Sequence, residues 1–183
     1  MSVFHSNTEM LIDYWRGLTF GAQAPRRADV DPAHFAPLAP QTLVLGRTTS
    51  GHYPVRLAGG LVRDLFDRDL RGVNALSLWL GRDHTALRIA LEGARRRPEP
   101  LVVNSMALAD SAMIEMEVLL APLSGGPTGP DRYLVLLQPL SPLARLRDTP
   151  VRQLAVACIR SAGPANEPAP RIKLAAVNGR RIA

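Results

Sequence analysis

The sequence predicts an α+β domain: an antiparallel sheet with helices on one face, an amphipathic helix before it and a basic extension after it. Three observations predict it. Periodicities of helix and strand type follow the order helix, two strands, helices, three strands. The last three strands are joined by connections suited to hairpins, which makes neighbours antiparallel. The 183 residues are 46% hydrophobic and 21% charged, the balance of a globular chain.

The first helix is expected from about Thr8 to Leu18. Ser6 and Glu9 stand at capping-box spacing. Met10, Leu11, Tyr14, Trp15 and Leu18 then recur on one face. Gly21 to Arg27 is a connector. Asp31 and Pro32 read as an N-cap and first helical position, opening a short turn to about Phe35 that Pro37 and Pro40 end.

Two strands follow. Thr42 to Arg47 is short and apolar. In Tyr53 to Ala58 the residues Tyr53, Val55 and Leu57 alternate with Pro54, Arg56 and Ala58, the period of a strand with one buried face. Pro54 lacks an amide donor, so it opens this strand or places it at an edge. Leu61, Val62, Leu65 and Phe66 then have helical spacing, and Gly72 closes that unit. Leu76, Leu78 and Trp79 form an apolar patch. Asp83 is read as the cap of a longer helix to about Arg97, with Leu87, Ala90, Leu91 and Ala94 as its inner stripe. Arg95, Arg96 and Arg97 suit its C-terminal dipole, and Pro98 and Pro100 stop it.

Leu101 to Leu108, Met113 to Ala121 and Tyr133 to Gln138 read as three strands in succession. Glu115 and Glu117 alternate with Ile114, Met116 and Val118, which reads as a wet face opposite a dry one. Pro122 to Pro130 is a Gly- and Pro-rich loop. Beyond Ser141, Val151 to Arg160 and Arg171 to Val177 are either added strands or helix, with a Pro- and Ala-rich linker between them. The expected organisation is an N-terminal helix and connector over 1–30, a core over 31–140 and a basic extension over 141–183.

Local words in this order resemble a known family. They are Leu11-Ile12-Asp13-Tyr14-Trp15, then Pro25-Arg26-Arg27-Ala28-Asp29-Val30-Asp31-Pro32, then Val55-Arg56-Leu57-Ala58-Gly59, with Leu65-Phe66 and Asp69-Leu70-Arg71-Gly72 after it. The chain is similar, over roughly Leu11 to Leu140, to stand-alone PAS proteins common in alphaproteobacteria. The Pro25–Pro32 stretch is the most specific piece. The resemblance implies a five-stranded antiparallel sheet with helices across one face and a small pocket between them. It implies a regulator that senses small molecules, dimerises, or docks onto histidine kinases and other signalling proteins.

Composition narrows the function classes. The net charge is +6, but residues up to Leu140 carry 14 basic and 14 acidic side chains, and the remainder carries 8 and 2. Contact with nucleic acid, a membrane surface or another acidic partner is therefore expected only through the tail. Cys158 is the sole cysteine, which excludes an internal disulfide. No basic-then-apolar leader and no spanning apolar run is visible, so the expected compartment is the cytoplasm.

No catalytic constellation emerges, and the expectation is a non-enzyme. His5, His34, His52 and His84 lack metal-site spacing. Lys173 is the single lysine, which rules out a phosphate-binding Gly-Lys loop. Gly125 to Gly129 reads as a hairpin loop. No cofactor is assigned. Haem-binding PAS sensors carry a histidine on the helix that walls the pocket, which makes His84 a weak haem candidate, set against a surface residue near a helix start. Phe66, Trp79, Leu87 and Met116 either line a ligand cavity or fill a core. Leu11, Tyr14, Trp15 and Leu18 either anchor a partner or second copy, or fold back on the chain's own sheet. Arg26 and Arg27 either bind an anion or pair with nearby aspartates. Cys158 reads as an inert core thiol, with redox sensing as the alternative. The leading function is a signalling regulator that binds a protein such as a histidine kinase, tuned by a small ligand or by dimerisation. The alternatives are a small-molecule or haem sensor, and an adaptor with a nucleic-acid- or lipid-binding tail.

Overall fold

A computed structural model describes residues 3–19, 23–125 and 131–163, and the backbone of 171–172. Its strands are β1 Thr42–Gly46, β2 Val55–Ala58, β3 Leu101–Leu108, β4 Met113–Leu123, β5 Arg132–Pro139, β6 Gln153–Ser161 and β7 Arg171–Ile172. They form one antiparallel sheet in the order β2-β1-β5-β4-β3-β6-β7. Pro54 precedes β2, and β2 is the outermost strand, so both expectations for this proline are met. The first five strands make the expected sheet.

The sheet does not stop at five strands. β6 runs beside β3 from Leu108↔Gln153 to Leu101↔Ser161. The open edge of β3 supplies the unpaired amides and carbonyls that β6 satisfies. Residue 140 therefore does not mark the end of the sheet.

Strand alternation splits the apolar residues between two faces. Leu101, Val103, Ile114, Met116, Val118, Tyr133 and Val135 belong to an inner core. Helices α2 Gly60–Phe66 and α3 His84–Arg96, with the short 3-10 turn Ala75–Leu78, supply its other half, and a second 3-10 turn, Gly81–Asp83, leads into α3. On the outer face Val102, Leu119, Ala121, Leu134 and Leu136 pack against helix α1 Ser6–Leu18 and against Phe35 and Leu38 of the 3-10 segment Pro32–Gln41. The division at residue 30 thus separates pieces of one packed unit.

Two expected caps are corrected. Helix α1 starts at Ser6, and His5 caps it, its Nδ1 accepting from the Asn7 amide at 3.1 Å. Asp83 makes no cap bond to α3. Its Oδ2 accepts instead from the Val156 amide at 2.9 Å, beside the irregular register of β6. Asp31 does cap as expected, accepting from the Ala33 amide at 2.9 Å. Gly59 lets the chain enter α2: a Cβ there would lie 2.3 Å from the carbonyl oxygens of Ala39 and Pro40.

Candidate functional site

The inner core is where the expected pocket residues meet. α2 contributes Phe66, the turn after Leu78 contributes Trp79, the first inner position of α3 contributes Leu87, and the centre of β4 contributes Met116. All four are buried in one cluster. They are packed with other large buried side chains, among them Leu70, Ile114, Leu154 and Ile159.

One end of the core is closed by a polar latch that the sequence did not reveal. Arg47, just after β1, chelates Glu92 of α3 through Nε at 2.6 Å and Nη2 at 3.1 Å. Tyr53 donates its hydroxyl proton to the same carboxylate at 2.8 Å, and Arg95 Nε adds a bond at 3.2 Å. Arg95 also lies 3.5 Å from Asp131, just before β5. Tyr133 donates to the Leu91 carbonyl at 2.9 Å and meets the Tyr53 ring edge-on at 5.9 Å. The Arg47 hydrogen bonds hold the Glu92 carboxyl down at about 2, against an ordinary 4.5. Burial, followed by the bond to Glu92, pushes the Tyr53 hydroxyl above its ordinary range, and burial does the same for Tyr133. Each polar group has a partner, and the cluster ties α3 to β1, β5 and the β1–β2 connection. Arg47, Tyr53 and Glu92 are too far apart in sequence for spacing to reveal the latch.

The remaining sites fall as follows. His84 is half-buried, and its Nε2 lies 3.1 Å from the Trp79 carbonyl, outside the inner core. That nitrogen is occupied by a backbone contact. Among the described residues no group of three or more His, Cys, Asp or Glu side chains could hold a metal ion. Arg26 is chelated by Asp29 at 2.9 and 3.0 Å, which raises the arginine's pKa and lowers the aspartate's. Arg27 reaches the Val30 carbonyl at 3.5 Å. Arg26 therefore takes the aspartate pairing rather than standing free for an anion.

Helix α1 folds back on its own sheet. Leu11 and Trp15 are buried there, and Trp15 Nε1 donates to the Pro122 carbonyl at 2.7 Å. Leu18 packs at the margin, and Tyr14 stacks on His34 at 5.5 Å. The anchor face is thus consumed within the chain, which corrects the partner-anchor reading of Trp15 and Leu11.

Two polar residues on the outer face also depart from expectation. Glu117 is 4% exposed, not solvated: the start of α1 covers it, and its Oε2 accepts from the His5 amide at 3.0 Å. Its cross-strand neighbours are Asn104 and Gln138, and Gln138 Oε1 accepts from Asn7 Nδ2 at 2.9 Å. Cys158 faces Asn104 across β3 and β6 and lies half-exposed at the end of this polar row, so it is not a core thiol. Beyond the reach of α1 the same face stays open. Met106 and Leu108 are half-exposed, and Met113 and Leu140 are 62% and 38% exposed.

An antiparallel sheet whose first five strands run β2-β1-β5-β4-β3, crossed on one face by α2, two short turns and α3, defines a PAS-type sensory or regulatory domain. The family profile described as PAS domain matches residues 3–138, and the chain belongs to that family. A solved structure of RsLOV is similar, with a TM-score of 0.45 and 19% sequence identity, over 62% of this chain and 72% of that one. No curated protein matches the sequence. No helix among the described residues is long and apolar enough to cross a membrane.

Proposed function

We propose that this PAS domain is a non-enzymatic regulator that binds a signalling protein, such as a histidine kinase, through the open half of its outer sheet face. Membership of the PAS family supports a sensory or regulatory role. The observation that carries the docking surface is the uncovered strip of Met106, Leu108, Met113 and Leu140 beside α1. Apolar side chains left in water on a sheet face gain free energy when a partner covers them. Glu115 is exposed within the same strip and adds a charged register mark. A cytoplasmic setting, with a second copy as the competing occupant and ligand occupancy of the inner core as the tuning signal, completes the reading.

The test is binding of the purified protein to a set of purified histidine kinases and response regulators, with light scattering of the protein alone. Met113→Glu is expected to weaken kinase binding at least tenfold while leaving the melting temperature within a few degrees. Equal binding by the variant refutes the surface. Binding to no signalling protein, with a dimer that Met113→Glu dissolves, transfers the surface to self-association.

A further inference from the structure

We propose that the cleft between β2 and α2 binds a small phosphate-bearing organic molecule. The cleft is about 780 Å³ and lies on the edge strand, where Ala58 of its lining packs against the margin of the inner core. That volume falls in the range that small-ligand sites occupy.

Charge chemistry selects the ligand. Arg56, Arg63, Arg68 and Arg71 all line this one concavity, and all four are exposed. Arg16, Arg26, Arg47, Arg82, Arg95 and Arg152 each sit within ion-pair distance of a carboxylate, while Arg88 and Arg96 are among those outside the cleft that do not. The four cleft arginines have no such partner among the described residues. The lining carries these four guanidinium groups against the three carboxylates of Asp64, Asp67 and Asp69, so it keeps a positive excess, and an oxyanion seated among the arginines accepts paired N–H bonds. A phosphate ester offers up to two charges and several acceptor oxygens, and so matches this donor set better than a single carboxylate.

The rest of the lining argues for an organic ester over bare phosphate. Leu57 is 54% exposed and, with Ala58, gives the cleft an apolar wall. Asp64 and Asp67 also line it outside ion-pair distance of any arginine, and are left to accept from amino or hydroxyl groups. Asp69 is committed to the turn, where its Oδ1 accepts from the Arg71 amide at 2.9 Å. Arg56 lies along the strand surface over Gly46, where a Cβ would meet its Nε at 2.8 Å. The sheet edge therefore reserves room for that side chain.

Calorimetric titration of the full chain with pyrophosphate and with ATP tests this. Both are expected to bind saturably, ATP more tightly, and both more weakly as salt rises. Arg63→Ala/Arg68→Ala is expected to weaken ATP at least tenfold. The control Arg88→Ala/Arg96→Ala, on the exposed side of α3, is expected to leave it unchanged. All four arginines are exposed, so both variants should keep the parent melting temperature, which is measured alongside. No saturable binding of either probe overturns the proposal, and so does equal weakening in cleft and control variants. Equal affinity for the two probes overturns the organic part. None of these outcomes depends on whether the outer face binds a kinase.

Discussion

Trp15 offers the sharpest test of how α1 is held. Its indole is buried against β4 and β5, and Nε1 donates to the Pro122 carbonyl at 2.7 Å. Trp15→Phe keeps most of the ring and removes the donor. Losing a buried hydrogen bond and leaving its acceptor unmatched costs about 1–3 kcal/mol. Trp15→Ala also removes the ring and leaves a cavity, for a total of about 3–5 kcal/mol. Urea unfolding, with the slope held constant, measures both. Amide exchange supplies the local readout: in Trp15→Ala the amides of α1 should exchange faster, while those of β3 and β4 change only with global stability. A cost under about 1 kcal/mol for Trp15→Ala, against the cavity cost above, would refute the docking of α1 on its own sheet and return Trp15 to a partner-facing role.

Two further predictions concern the core's edges. The folded pKa of Glu92 is depressed, so the stability it contributes is fully present above about 4.5 and lost as pH falls toward about 2. Glu92→Gln should flatten stability across that window, and acid-unfolding curves of equal steepness for parent and variant would contradict the latch. Gly59→Ala places a methyl group against two backbone carbonyls that cannot retreat without moving the chain. It should cost about 1–3 kcal/mol, the usual range for overpacking; an unchanged melting temperature would show that the approach is looser than described.

The legible parts of the site were those set by local pattern. Leu87, Leu91 and Ala94 repeat at helical spacing, and Met116 alternates with charged neighbours, so their burial together follows from periodicity. Glu117 has the same alternation as Glu115, yet one is buried and the other exposed. The difference comes from α1 lying over Glu117, more than a hundred residues away in sequence. Cys158 sits among apolar residues and reads as core, but its register against Asn104 turns it outward.

By itself, the sequence determined the order and type of the elements, the antiparallel sheet, the inner core residues and the PAS family, because these depend on neighbours a few residues apart. Only the tertiary structure decided that α1 is consumed by its own sheet and that β6 extends that sheet. It also decided that Arg47, Tyr53 and Glu92 form one latch and that four arginines share one cleft. Those features depend on contacts between distant segments. Their free energy comes from burial and charge pairing that local spacing does not encode.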